Sequence, residues 1–277
     1  MFTAFWNFDY YSNETIRVSK KARKQIVYSL NLKSNKILTT TTENVFFEKG
    51  MGIADVTHNS ALDFAKRNNP KEFINVLHSP KSEYDNLIID FENHYTAMDN
   101  VHESPIKEII LKNDIENISD KTWIASFVMD LYIRNYQNQK LFLEEFRSQQ
   151  KPKFELFWEL KHALSSREKL AKMIIPLVAS EWILYKETKF KFPICDTPLL
   201  INNKNILFAL SPKMLLRIEY NKKVPPENIC KIKNKTSDFI YKEFIKRMIL
   251  CSNREIIFND LSTLENLQNS KLIKYKN

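Results

Sequence analysis

The chain has 277 residues, 43% of them hydrophobic and 12% aromatic, enough apolar material for a buried core and too much for global disorder. Its 42 Lys and Arg against 33 Asp and Glu leave a formal charge of +9, and no apolar run reaches the roughly 20 residues of a membrane span. Three widely spaced cysteines (Cys195, Cys230, Cys251) exclude a disulfide framework, and two glycines are too few for a Walker or dinucleotide fingerprint.

Residues 1–9 carry neither a basic n-region nor a small-residue cleavage site, so a cytoplasmic protein without a membrane partner is expected. The positive charge has two readings. Clustered lysines bind polyanions by releasing counterions. A chain rich in Lys, Asn and Ile, with arginine scarce beside lysine, also follows from an AT-rich coding sequence alone.

In chain order, the first predicted element is a hairpin. Gln25 to Leu32 and Lys36 to Thr41 are β-branched or aromatic runs on either side of Lys33-Ser34-Asn35. A short strand over Asn44-Val45-Phe46-Phe47 follows, then a loop around Gly50 and Gly52. From about 59 to 187 the texture is helical. Tyr84, Leu87, Ile88, Phe91, Tyr95 and Met98 recur at three- and four-residue steps, giving a helix that ends before Pro105. Ser119-Asp120 is the expected N-cap of a helix over 123–149, which Pro152 breaks. Helices over 154–164 and 168–186 come next, the second kinked at Pro176.

Strands return at 190–220, with a polar Asn202-Asn203-Lys204-Asn205 turn and a strand-ending Ser211-Pro212. Val224-Pro225-Pro226 is a hard stop. Ser237-Asp238 opens a helix over 239–251, and Arg254 to Phe258 reads as a final strand. Residues 261–277 read as a polar, fraying tail. The expected fold is α+β in a single domain spanning 1–277. An N-terminal β-hairpin and C-terminal strands (188–260) form one sheet around a large helical middle at 52–187.

Asp196 follows an apolar strand and precedes a proline, a place where a carboxylate is held rigidly yet exposed. It reads either as a metal ligand or general acid/base, or as an Asx cap of its own turn. Glu92, seven residues after Asp85 and so on one helical face with it, needs a partner if buried. Arg134 is the natural candidate, either as a structural ion pair or as a phosphate-orienting group. In the second case Glu92 and Asp196 together hold Mg²⁺ or Mn²⁺.

Asp196, Glu219 and Lys222 or Lys223 only loosely imitate an Asp…Glu-x-Lys nuclease core, because Lys222 is one residue too far along the strand. The five histidines show no ligand spacing, and His94 and His102 read as solvated residues near helix ends. A Gly-x-Ser-x-Gly elbow is missing. Two basic segments, Lys20-Lys21-Ala22-Arg23-Lys24 and Lys231-Ile232-Lys233-Asn234-Lys235, fall in predicted loops. Tyr10, Tyr11, Tyr220 and Tyr241 are near enough in sequence to offer stacking surfaces.

The order of several short motifs resembles the bacterial and fungal family known as domain of unknown function 4238. They are Val27-Tyr28-Ser29-Leu30, the Glu92 helix, Leu131-Tyr132-Ile133-Arg134-Asn135, Phe192-Pro193-Ile194-Cys195-Asp196-Thr197-Pro198, Leu207-Phe208-Ala209-Leu210-Ser211-Pro212, and Asn234 with the helix before Arg254-Glu255-Ile256-Ile257. The chain departs from the family's pattern in three places. It lacks an opening histidine and proline, it has Cys195 where a serine is usual, and it has Ala209 where a proline is usual.

The resemblance implies architecture and assigns no activity. The charge and the Glu92–Asp196 pair lead to the expectation of a nucleic-acid- or nucleotide-directed effector, a metal-dependent phosphodiesterase of a bacterial or phage conflict (defence) system. The alternative is a non-catalytic module that binds a protein partner or nucleic acid.

Overall fold

The computed structural model describes residues 26–41, 53–56, 58–68, 78, 87–90, 92–134, 144, 148, 167–186, 191–225 and 228–269. In chain order its elements begin with β1 (Ile26–Asn31), β2 (Lys36–Thr41), β3 (Ile53–Val56), α1 (His58–Asn68), β4 (Leu87–Asp90) and α2 (Glu92–Lys112). Then come α3 (Ile118–Arg134), α4 (Arg167–Val178), β5 (Ser180–Lys186), β6 (Ile194–Cys195), β7 (Leu199–Ile201) and β8 (Ile206–Ser211). The last are β9 (Met214–Lys223), β10 (Lys231–Lys233), α5 (Asp238–Cys251), β11 (Glu255–Phe258) and α6 (Leu261–Gln268). The fold is α+β. No helix among the described residues is long and apolar enough to cross a membrane.

The chain divides into two compact units. One comprises Met1–Phe47, Asp99–Tyr136 and Ala171–Asn277, and the other Glu48–Met98 and Gln137–Leu170. In the second unit β3 and β4 pair antiparallel, with Ile53 opposite Asp90, and α1 follows β3.

The first unit holds two sheets. In one the order is β2-β1-β11-β6. The β1–β2 hairpin forms as its sequence predicts. Asn31 Oδ1 accepts the amides of Lys33 and Ser34, and Asn35 takes the left-handed conformation (φ 51°) that asparagine tolerates. Near the far end of the chain β11 pairs antiparallel with β1, Tyr28 opposite Phe258 and Leu30 opposite Ile256. The two ends of the sequence therefore do meet in one sheet.

The other sheet runs β10-β5-β9-β8-β7, antiparallel except that β10 lies parallel to β5. Its side chains alternate between two covered faces, which is why β8 is buried at all six positions. On one face Tyr185, Leu200, Leu207, Ala209 and Leu215 join Phe244, Ile245, Met248 and Ile249 of α5. The same core takes in Val27 and Leu30 of β1, Ile256 to Phe258 of β11, and Leu264 and Leu267 of α6. On the other face Phe127 of α3 packs edge-on to Phe208, with ring centroids 6.2 Å apart, and Trp182 is buried beside Lys121 of α3.

Several sequence expectations are corrected. The C-terminal strands divide between two sheets instead of building one. Ser180–Lys186, expected as helix, is strand β5. Its Trp-Ile-Leu-Tyr run pairs along β9, and the preceding helix stops at Val178 with the indole of Trp182 donating to the Leu177 carbonyl at 2.8 Å. Leu87–Asp90, read as helix, is a strand, so the helical spacing of Asp85 and Glu92 lapses.

α2 does not stop before Pro105 but runs through it to Lys112. The carbonyl deprived of a donor belongs to Val101, which is 53% exposed, so solvent can take the donor's place. The cap of α3 is Asn117, whose Oδ1 accepts from Asp120 N at 2.9 Å, while Asp120 accepts in turn from Glu116 N. Residues 261–268 form α6 instead of a fraying tail. Asp260 caps it, and Leu264 and Leu267 are buried in the core. The predicted strand at 44–47, the Gly50–Gly52 loop, the helix at 154–164 and the extension of α3 over 135–149 lie outside the described residues or among those with no described element.

Candidate functional site

Asp196 follows β6 directly, as expected, but its surroundings come from a distant stretch of chain. Ser252, Asn253 and Arg254 form the turn that ends α5 and leads into β11. Asp196 Oδ1 accepts from Ser252 Oγ at 2.8 Å and from Asn253 N at 3.0 Å. Oδ2 accepts from Asn253 N at 3.2 Å and from Arg254 N at 3.0 Å. The half-buried carboxylate thus closes the helix-to-strand turn, a clamp between β6 and β11.

The Asx reading was right in kind and wrong in partners: the amides are those of Asn253 and Arg254, not those of residues 197–199. Burial pushes the Asp196 carboxyl above its usual range, against the opposing pull of the Ser252, Asn253 and Arg254 donors. A divalent cation at these oxygens would have to displace donors that already occupy both. Among the described residues no group of three or more His, Cys, Asp or Glu side chains is arranged to hold a metal ion.

The other two members of the expected site are described by their backbone elements alone. Glu92 is the first residue of α2 and belongs to the second unit, whereas Asp196 and Arg134 belong to the first. Arg134 ends α3. The side chains of Glu92 and Arg134 lie outside those described, as do Lys20, Lys21, Arg23, Lys24, Tyr10 and Tyr11.

The nuclease-like pattern resolves into separate ion pairs. Glu219 accepts from Arg217 two residues earlier on the same strand face at 2.5 Å, and Lys222 pairs with Glu181 at 3.4 Å. Arg217 also reaches Glu243 of α5 (3.6 Å). Glu243 in turn pairs with Arg247 (2.6 Å), which donates to Asn205 Oδ1 in the β7–β8 turn at 2.7 Å. This network fixes α5 over the sheet. Sequence reading missed it because the contacts that join its parts span 26 positions (Arg217 to Glu243) and 42 (Arg247 to Asn205), with local signals limited to the Arg217–Glu219 spacing of two and the Glu243–Arg247 spacing of four.

Other single groups are also settled by packing. His102, expected to be solvated, is 1% exposed in the middle of α2, with its ring against Trp123 and Phe127. Burial pushes the Cys230 thiol up to about 12, the opposite of an activated nucleophile. Lys121 is 1% exposed. Its Nζ donates to the Ser180 carbonyl at 3.0 Å and sits 5.3 Å from the Trp182 ring centroid, and no carboxylate among the described residues pairs with it. Burial therefore holds this amine below the usual lysine range.

The second basic segment has the clearest surface geometry. Lys231 and Lys233 are not in a loop: they form edge strand β10, all three of whose residues are exposed. The parallel register sets Lys231 opposite Ile183 and Lys233 opposite Tyr185, with Lys233 Nζ 5.7 Å from the Tyr185 ring centroid. An irregularity between Ser180 and Glu181 sets Lys223 opposite Ser180 and lets Lys222 reach Glu181, so these two lysines lie at the start of β5, the end away from Lys233.

Glu181 accepts from Lys231 and pairs with Lys222. The Lys231 hydrogen bond in particular holds its carboxyl below the usual range, against burial. One carboxylate thus faces Lys222 and Lys231, while exposed Lys233 and Lys235 continue the edge. Residues 213–254 contain eleven Lys and Arg and four Asp and Glu, a net of +7 within the chain's +9.

The aromatics near this edge differ from those expected. The Tyr220 hydroxyl donates to the Asn202 carbonyl. Tyr241 turns inward onto Phe192, with ring centroids 6.0 Å apart, and burial pushes its hydroxyl up to about 12. Phe239, near the start of α5, is instead 73% exposed. Comparison with protein-family models, with curated proteins and with solved structures finds no match.

Proposed function

We propose that the chain is a non-catalytic nucleic-acid-binding module whose contact surface is the basic edge made by the end of β9, β10 and the segment leading to α5. The observation that carries this reading is a row of lysines along one sheet edge: Lys222, Lys223 and Lys231 gather near Glu181 at the start of β5, and Lys233, opposite Tyr185, and Lys235 continue the row, with Glu181 the one carboxylate among the described residues paired into it. Such a cluster attracts a phosphate backbone by counterion release and carries no base-specific information of its own. The hydrogen-bonded state of Asp196 supports a structural role for it and favours binding over hydrolysis. Kinship with domain of unknown function 4238 and a cytoplasmic setting belong to the same proposal, on the sequence grounds given above.

Fluorescence anisotropy of labelled DNA and RNA oligomers, followed from 50 to 200 mM salt, tests the reading. Wild-type protein should bind with an affinity falling at least tenfold over that range, given a loss of about 10³ for six phosphate contacts and proportionately less for fewer. Lys223→Gln/Lys233→Gln/Lys235→Gln should flatten the slope and weaken binding by about tenfold or more. Salt-independent binding, or none, refutes the proposal. Strand cleavage that needs Mg²⁺ or Mn²⁺ and is lost in a folded Asp196→Ala protein would replace it with a metal-dependent phosphodiesterase.

A further inference from the structure

The outward face of α5 is not explained by the core. Phe244, Ile245, Met248 and Ile249 point inward, and Glu243 and Arg247 are engaged in the ion-pair network. What remains outside is Phe239 (73% exposed), Lys242, Lys246 and Leu250 (65% exposed), at steps of three, four and four residues. At 3.6 residues per turn these four fall within about 80° of the helix circumference, a single stripe. Lys242 and Lys246 lie about 4.5 and 10 Å along the axis from Phe239. The stripe begins where the basic edge ends: β10 runs through Lys235 and the Ser237 cap directly into the helix.

An exposed phenylalanine is costly in water and explains nothing about the core. Beside lysines it has a specific use, since aromatic rings stack on unpaired bases while lysines follow the backbone. In a duplex the base faces are already stacked on each other and the ring finds no partner. A membrane surface is a poorer fit, because inserting Phe239 and Leu250 would carry Lys242 and Lys246, which lie between them on the same stripe, toward the hydrocarbon. Among the described residues of α5, Asp238 is the one exposed carboxylate, at the edge of the stripe.

We infer that the outward stripe of α5 is a single-strand-selective extension of the binding surface, in which Phe239 stacks on an unpaired base while Lys242 and Lys246 contact the adjoining phosphates. This rests on the nucleic-acid-binding reading and adds to it the class of strand.

The test uses the full chain and four probes by anisotropy or co-sedimentation: an oligothymidine 20-mer, the same length with abasic sites, a duplex 20-mer, and phosphatidylserine vesicles. Phe239→Ala should weaken binding to oligothymidine at least fivefold, the low end of one lost base stack, and change duplex and abasic binding less than twofold. Lys242→Gln/Lys246→Gln should weaken oligothymidine and abasic strand alike. Circular dichroism melts should show Phe239→Ala folded like wild type, as expected for so exposed a side chain.

If Phe239→Ala leaves oligothymidine binding within twofold while the β9–β10 lysine variant weakens it, the stacking inference falls and the binding reading stands. If Phe239→Ala weakens duplex and single strand equally, strand selectivity falls. Binding to none of the nucleic acids overturns both, and so does vesicle binding lost in Phe239→Ala without strand binding.

Discussion

Asp196 is the residue on which the functional reading turns, and its hydrogen bonds make it testable as a clamp. Replacing it with alanine removes the acceptor of two amides at the turn between α5 and β11, and one of two acceptors of the Ser252 hydroxyl, which also reaches the Glu255 carbonyl at 3.0 Å. Leaving buried donors without partners costs about 1–3 kcal/mol each at full burial. For this half-buried turn we expect Asp196→Ala to lose about 3 kcal/mol in a urea titration. An unchanged midpoint would return Asp196 to the list of candidate reactive groups.

Lys121 makes a different prediction. Burial lowers its folded pKa, while the unfolded chain restores it to the ordinary value of 10.5. Between those two values the unfolded state binds more protons, so the wild-type protein gains stability with rising pH. Against Lys121→Met, the difference in unfolding free energy should therefore shift toward wild type as pH approaches 10.5. A difference flat with pH would mean that the amine is solvated.

At the level of elements, what could be read from the sequence depended on local signals. The β1–β2 hairpin was legible because a β-branched run on each side of Asn31 to Asn35 has few alternatives, and α5 because Ser237 marks its start. β5 was not, since it follows α4 with only Ala179 between, and the proline near the change of period, Pro176, lies inside the last turn of the helix and reads as a kink. α6 was missed for the opposite reason: eight residues with two leucines carry little periodicity, and the core supplies what the sequence pattern lacks. Leu264→Ala, at a position with no exposure, should cost about 2–4 kcal/mol and lower the melting temperature of the whole unit. A melting temperature within 1 °C of wild type, a shift too small for such a cavity, would show α6 to be dispensable.

The position of Asp196 at a strand end was equally legible, but the identity of its donors was not, because a turn 56 to 58 residues later supplies them. The basic edge shows the same limit. Lys231, Lys233 and Lys235 were found as a run, whereas the meeting of Lys231 with Lys222 at Glu181 depends on strand order.

For the molecule as a whole, the pairing of β1 with β11 sets a timetable. Ser29 donates to Glu255, 226 positions along the chain, and Leu32 N reaches the Arg254 carbonyl. At about 5–20 residues per second, a ribosome needs about 10–45 s after making β1 before β11 exists. Throughout that interval the hairpin offers one strand edge, and the apolar face of Val27 and Leu30, without their eventual neighbours. Closing so long a loop is slow even once the chain is complete. Of the described strands, the first to be made is thus completed only by the last, and the nascent hairpin is a segment that a chaperone would have reason to hold.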